Sequence, residues 1–304
     1  MIALYAPGQG SQTPGMLTPW LEVPGARDRL ELWSKAAGLD LLRLGTTATA
    51  EEITDTAVTQ PLVVAAALLA FAEVPATLPS DTFVAGHSVG ELAAAAVAGV
   101  ITADDAVQLA AIRGAEMAKA CALEPTGMSA VLGGDEAEVL ARLAELELVP
   151  ANRNAAGQIV AAGRLDALAE LAAAPPEKAR VRALPVAGAF HTAFMAPAQE
   201  AVTRAISRIT PDEPSCVLLS NYDGRPVSSG KDAIEKLAAQ VTRPVRWDLC
   251  TETVRAAGVT AVAELPPAGT LVGIAKRELK GTPNLALKSP EDISALVALY
   301  SATG

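Results

Sequence analysis

The chain has 304 residues, a formal net charge of −10, 51% hydrophobic residues and only 3% aromatic ones. That composition gives a globular chain with a sizeable core of small and branched aliphatic side chains, and it excludes a disordered one. The negative balance argues against a nucleic-acid partner. Three scattered cysteines without CxxC spacing (Cys121, Cys216, Cys250) exclude a disulfide framework and speak against metal ligation.

Taken in chain order, residues 2–6 read as a short buried strand that ends in the loop PGQGSQ at 7–12. The apolar run breaks at Pro7 after too few residues for a signal sequence. The longest apolar stretch, 62–72, falls far short of a membrane span. A cytoplasmic protein without a membrane partner is expected. A long helix is expected to follow Pro61, a short strand to occupy 82–85, and an Ala-rich helix to occupy 91–100. A further helix starts near Asp104, where Thr102 and Asp105 have the spacing of a capping box. Strand, tight turn and helix form the unit of an α/β fold with a parallel sheet.

The breaker cluster Glu124-Pro125-Thr126-Gly127 marks a domain hinge. Beyond it, strands at 128–132, 148–152, 159–162 and 181–186 alternate with helices at 136–146 and 165–173. That order, βαββαβ, is the ferredoxin-like pattern. The expected architecture is therefore a larger α/β domain, residues 1–124 and 188–304, interrupted by a small ferredoxin-like subdomain, residues 125–187. Further strands of the larger domain are expected at 217–220 and 259–264.

The sharpest local signal is Gly86-His87-Ser88-Val89-Gly90, a G-x-S-x-G sequence between a predicted strand and a predicted helix. There it reads as a nucleophile elbow, whose glycines permit a strained turn that lifts the serine hydroxyl out of the sheet. The helix that follows points its first amides at a developing oxyanion. A serine hydroxyl needs a base, and the chain has two histidines, His87 and His191. His87 adjoins Ser88 and leaves the elbow in another direction. His191, at the end of the apolar run that turns at Gly188, is the candidate base, and no acidic third member stands out. Arg113 shares a helical face with Ala106, Leu109, Ala110 and Met117. A guanidinium in such a stripe either grips a carboxylate with two parallel hydrogen bonds or forms a structural ion pair at the helix surface or a domain seam. The loop at 8–12 lacks both the G-x-G-x-x-G spacing and the lysine of a phosphate cradle, and can instead supply an oxyanion amide.

Together these pieces resemble the malonyl-CoA:acyl carrier protein transacylases of bacterial fatty-acid and polyketide synthesis. The resemblance runs nearly end to end, through PGQGSQ, Gln60-Pro61, GHSVGE at 86–91, Arg113-Gly114 with Met117, and Gly127 to Ala130. It continues through Asn154 with Gln158-Ile159-Val160, GAFH at 188–191, Met195-Ala196-Pro197, Ser220-Asn221 and Gln240 with Pro244 to Trp247. It implies an α/β-hydrolase-like core with an inserted ferredoxin-like subdomain, and transfer of a malonyl group from malonyl-CoA to the phosphopantetheine thiol of an acyl carrier protein. It also implies that Ser88 carries the acyl group, that His191 is base and then acid, and that the amides of Gln9 and Val89 form the oxyanion hole. In the same reading the Gln240 carbonyl orients His191 and Arg113 holds the malonyl carboxylate. Met117, Phe190, His87 and Asn154 fall among the substrate-binding positions. Val89 and Phe190 favour malonyl over methylmalonyl, because a bulky Phe before the histidine crowds an α-methyl.

No cofactor is implied beyond the coenzyme A thioester that enters as substrate, and a monomer is expected. A basic patch for an acidic carrier could draw on Arg243, Arg246, Lys276 and Arg277. The sequence departs from the family at Pro266-Pro267-Ala268-Gly269, where a glycine-rich turn is usual. The alternatives left open are a serine thioesterase, which has no use for a buried guanidinium, a catalytically idle docking protein, and a transferase of unusual extender units.

Overall fold

Strand β1 (Ile2–Ala6) lies at the centre of a parallel sheet and is buried along its whole length, which is why it carries no charged residue. The computed structural model describes residues 1–74 and 77–301. The helices α1 (Ala26–Ala37), α2 (Leu41–Thr46) and α3 (Thr56–Phe71) follow β1, then β2 (Phe83–Gly86), α4 (Gly90–Val97) and α5 (Ala103–Cys121). The chain next builds β3 (Thr126–Gly133), α6 (Glu136–Glu145), β4 (Val149–Ala155), β5 (Gln158–Arg164), α7 (Leu165–Ala173) and β6 (Ala179–Ala183). The final part contains α8 (Ala196–Ile206), β7 (Val217–Leu218), α9 (Gly230–Ala239), β8 (Val245–Arg246) and α10 (Trp247–Ala256). It ends with β9 (Ala261–Glu264), α11 (Thr270–Glu278), β10 (Asn284–Ala286) and α12 (Asp292–Ser301).

Among the described residues two five-stranded sheets form. The first has the order β10-β9-β1-β2-β7, and all of its pairings are parallel. The second has the order β6-β3-β5-β4-β8. Within it β3 pairs antiparallel with β5 and β6, and β4 antiparallel with β5, as a ferredoxin-like unit requires. The fold is an α/β-hydrolase-like core with this second sheet beside it. No helix of the described residues is long and apolar enough to cross a membrane.

Several boundaries differ from the sequence expectation, each for a local reason. The helix expected after Pro61 begins at Thr56 and contains Pro61. Its start is fixed by Asp55, whose carboxylate accepts the Ala57 N–H at 2.7 Å, and that cap outranks the proline as a start signal. The strand expected at 181–186 ends at Ala183, after which Leu184 to Val186 leave the sheet to line the cleft. The strand expected at 217–220 ends at Leu218, because Ser220 and Asn221 turn toward the elbow. The second sheet is not confined to 125–187: β8 from later in the chain adds in parallel to the edge of β4. The capping box at Thr102 and Asp105 forms as its spacing predicts.

Candidate active site

At the carboxyl end of β2 the chain reverses through Gly86-His87-Ser88-Val89-Gly90 into α4. The turn is too tight for a side chain at either glycine. A Cβ at Gly86 would lie 2.0 Å from the Gly90 main chain, and one at Gly90 would lie 2.3 Å from the Ala6 oxygen. Ser88 has φ of +54°, a left-handed conformation costly for a non-glycine residue. The Asn221 amide clamps the turn, its Oδ1 accepting from the Ser88 N–H at 2.9 Å while Nδ2 donates to the Gly86 oxygen at 2.8 Å.

Ser88 Oγ lies 2.8 Å from His191 Nε2. His191 Nδ1 lies 2.9 Å from the Gln240 main-chain oxygen, which can only accept, so Nδ1 carries the hydrogen and Nε2 offers its lone pair to the serine. His191 also has a positive φ, +60°. Its turn is tied down by the Ala189 N–H donating to Thr126 Oγ1 at 3.1 Å and by Thr192 Oγ1 donating to the Ala189 oxygen at 2.6 Å. Burial, reinforced by the positive charge of Arg113, pushes the His191 imidazole down to about 3, so it is neutral at pH 7.

Arg113, on α5, is 2% exposed. Its Nη1 donates to Gln60 Oε1 at 2.6 Å, and its Nη2 to Gln240 Oε1 at 2.8 Å and to Ser88 Oγ at 3.2 Å. Burial lowers this guanidinium to about 10, with the nearby Glu91 acting against the shift, and it stays charged at neutral pH. The cation therefore shares the pocket with the nucleophile, held in plane by two amides rather than neutralised by a direct carboxylate.

His191, Ser88, Arg113, Met117, Phe190 and His87 all line a cavity of about 90 Å³, together with Gln9 and Gln60. It suits a short acyl group, not a long chain. A wider opening of about 370 Å³ shares Gln9 and His87 with it and adds Asn154, Gln158, Thr270 and Ile274. His87 Nε2 faces Asn154 Oδ1 at 2.8 Å, and the His87 ring centre lies 5.6 Å from that of Trp247, so His87 bonds away from Ser88. Burial lowers the His87 imidazole as well. The Val89 side chain packs into the core and does not line the acyl cavity, whereas Phe190 does. Among the described residues no protein acceptor takes the main-chain N–H of Gln9 or of Val89, while the N–H of Ser88 is engaged by Asn221.

Three further site residues were present in the sequence only as members of motifs. Gln60 holds Arg113, Asn221 holds the elbow, and Glu91 is a buried acid 5% exposed. Glu91 was the most legible of the three, as the one charged residue in the otherwise apolar segment 90–97. Of the basic residues considered for a carrier, Arg246 pairs with Asp248 at 2.8 Å, Arg243 lies over the Tyr222 ring at 5.5 Å, and Arg277 donates to Gln158. Among the described residues no group of three or more His, Cys, Asp or Glu side chains is arranged to hold a metal ion.

Fold and site together put the chain among the serine acyltransferases built on an α/β-hydrolase-like core. Comparison with known proteins narrows that class: the model of the acyl transferase domain family matches residues 5–297, and the chain belongs to that family. The malonyl CoA-acyl carrier protein transacylase of Mycobacterium tuberculosis is 67% identical to it over 302 residues, spanning 98% of this chain and all of that relative. A crystal structure of MCAT from Mycobacterium tuberculosis superposes with a TM-score of 0.95 at 68% identity, covering 97% of this chain and 99% of the other. A chain from the structure of a type II PKS acyl-carrier protein in complex with its malonyl-transacylase also matches, at a TM-score of 0.88, 29% identity and 99% coverage of both chains.

Proposed function

We propose that this chain moves a malonyl group from malonyl-CoA to the phosphopantetheine thiol of an acyl carrier protein, for fatty-acid or polyketide synthesis or both. The observation that carries this reading is the Arg113 guanidinium, buried and 3.2 Å from the Ser88 hydroxyl in a cavity sized for a short acyl group. A carboxylated acyl group gains a charge-assisted pair there, and a neutral chain gains nothing.

In the first half-reaction Ser88 Oγ attacks the thioester carbonyl as its proton passes to His191 Nε2. The free N–H groups of Gln9 and Val89 receive the oxyanion. Collapse of the tetrahedral intermediate breaks the carbon–sulfur bond, and His191 returns its proton to the coenzyme A sulfur. In the second half-reaction the carrier's thiol gives its proton to His191 and attacks the ester, and Ser88 leaves with that proton. The Gln240 carbonyl keeps His191 in the required tautomer throughout, and Arg113 holds the malonyl carboxylate. Asn154 and His87 flank the opening through which the two pantetheine arms enter in turn. Met117 and Phe190 bound the acyl group. This reaction needs no cofactor beyond the coenzyme A thioester, which is a substrate. We read the chain as a cytoplasmic monomer whose partners are malonyl-CoA and the carrier, without nucleic acid or membrane.

A thioesterase would use the same Ser88 and His191 but would have no role for Arg113. Intact-protein mass spectrometry after brief mixing with malonyl-CoA, followed by a chase with phosphopantetheinylated carrier protein, tests the reading. A malonyl adduct on Ser88 that moves to the carrier is expected. An adduct lost to water at the same rate with or without carrier would replace the transferase by a hydrolase.

A further inference from the structure

Glu91 is a carboxyl group in the protein interior that the reaction above does not use. It sits in the first turn of α4, three residues after the nucleophile, and is 5% exposed. An acid in that position is expensive unless it is fully engaged. Its Oε1 accepts the main-chain N–H of Asn221 at 2.6 Å, and its Oε2 accepts from the side-chain Nε2 of Gln240. Both partners reach from Glu91 to the reacting groups.

The Gln240 amide is used completely. Its Nε2 donates to Glu91 and also to the Ser88 main-chain oxygen at 2.8 Å, and its Oε1 accepts from Arg113 Nη2 at 2.8 Å. One planar group therefore stands between a buried carboxylate and a buried guanidinium, nitrogen toward the anion and oxygen toward the cation. A flipped amide would set oxygen against carboxylate and N–H against guanidinium. Glu91, the Ser88 oxygen and Arg113 fix together which way the amide lies, the first two because they accept there and the guanidinium because it only donates. It supplies the counter-charge of Arg113 without occupying the fork that a substrate carboxylate needs. Through Asn221 it backs the amide that clamps the left-handed Ser88.

We propose that Glu91 is a positioning residue for acyl transfer, which through Gln240 aims the Arg113 guanidinium at the acyl carboxylate and through Asn221 holds Ser88 in its strained conformation. The proposal rests on the malonyl-transfer reading and adds to it a residue that never touches the substrate. A glutamine or a protonated acid at 91 takes the anionic acceptor from Gln240 Nε2, which loosens the amide and with it the aim of Arg113. Protonation is within reach, since burial pushes the Glu91 carboxyl up to about 7. The titratable or charged groups facing it are Arg113 from α5 and the Cys250 thiol from α10, which burial keeps protonated. Neither titrates near pH 7, and nor does His191.

The test is single-turnover acylation of the full chain by malonyl-CoA and by acetyl-CoA, read by intact mass, for wild type and Glu91→Gln, with circular dichroism to establish folding. Acquisition of a malonyl adduct by wild type tests the underlying reading separately; without it the proposal falls together with that reading. With wild type active, folded Glu91→Gln is expected to lower the malonyl-to-acetyl rate ratio by about tenfold or more, the worth of one hydrogen bond to a charged group. A ratio within about twofold of wild type in a folded variant overturns the proposal. Should Glu91→Gln fail to fold, the wild-type ratio measured across pH decides. A ratio that falls as pH drops through the Glu91 titration supports the proposal, and a flat ratio overturns it.

Discussion

The Nη2 atom of Arg113 stands 3.2 Å from the Oγ of Ser88. A malonyl ester on that oxygen carries its free carboxylate on the third carbon from it, while an acetyl ester ends one carbon earlier with nothing to offer a cation. Arg113→Ala is expected to slow malonyl acylation by about a hundredfold, the upper range for a hydrogen-bonded charge, and to alter acetyl acylation much less. Arg113→Lys should recover little, because a single nitrogen lacks the planar fork that spans Gln60 and Gln240 and still presents parallel N–H groups to a carboxylate. Rates of single-turnover acylation with both thioesters check this, and equal losses for the two would remove Arg113 from the acyl-binding role.

Ser88→Ala should leave no covalent adduct with any thioester. His191→Ala should lower the acylation rate by roughly 10⁴-fold or more, as removal of a serine's base does elsewhere. Rapid-quench mass spectrometry measures both. Normal adduct formation by the His191 variant would assign the base to another group.

Stability should carry the signature of the buried imidazole. His191 is held at about 3 in the folded chain against an ordinary 6.5. Between those values the unfolded chain binds a proton that the native chain does not, so this contribution to stability is intact above 6.5 and is lost as pH falls toward 3. Glu91 has the opposite sign: raised from 4.5 to about 7, it contributes less as pH rises through that window. A plot of melting temperature against pH is expected to fall more steeply on the acid side for wild type than for His191→Ala. Identical acid limbs would mean that His191 is not buried neutral in solution.

The seam between α3 and α5 offers a test of packing. A Cβ at Gly114 would meet the Thr56 oxygen at 2.7 Å and the Gln60 Cβ at 3.3 Å. Gly114→Ala is expected to cost about 1–3 kcal/mol, the usual range for overpacking. Because the displaced Gln60 carries the Arg113 guanidinium, discrimination of malonyl over acetyl should fall with it. Thermal melts and acylation ratios report the two effects, and an unchanged melting temperature would show that the seam yields.

Phe190 borders the acyl cavity, whereas Val89 points into the core. Phe190→Ser should therefore admit a methylmalonyl group, with a shift in preference of about 1–3 kcal/mol, the value of one methyl in a pocket. Competition between malonyl-CoA and methylmalonyl-CoA measures it.

Much of this was readable in the residues. The all-apolar segment at 2–6 could only be a buried strand, and Gly86, Ser88 and Gly90 fit a tight strand-to-helix turn because a Cβ at either glycine strikes main chain. Pro61 misled, since proline commonly opens helices, while the Asp55 cap that sets the start lies before it and shows itself only through its bond to the Ala57 N–H. Gln60, Glu91 and Asn221 could not be given roles from the chain alone. Their work depends on hydrogen bonds to residues distant in sequence, and an amide or an acid before folding looks like any surface polar group. The two-residue strand β8 was invisible for a related reason: among the described residues it pairs with β4 alone, far away in sequence.

That short strand changes how the smaller lobe should be regarded. The second sheet takes its last strand from a segment that follows α9, and the Arg246 N–H is at the same time tied to the Asn221 oxygen at 2.9 Å. The lobe is thus a tenant of the larger one. Residues 125–187 on their own would carry the outer edge of β4 unpaired, an invitation to association with other copies. The stitch also runs from the wall of the opening, through β4 and β8, to the residue that clamps the nucleophile. Loosening of the smaller lobe would be felt at Ser88 as well as at the entrance.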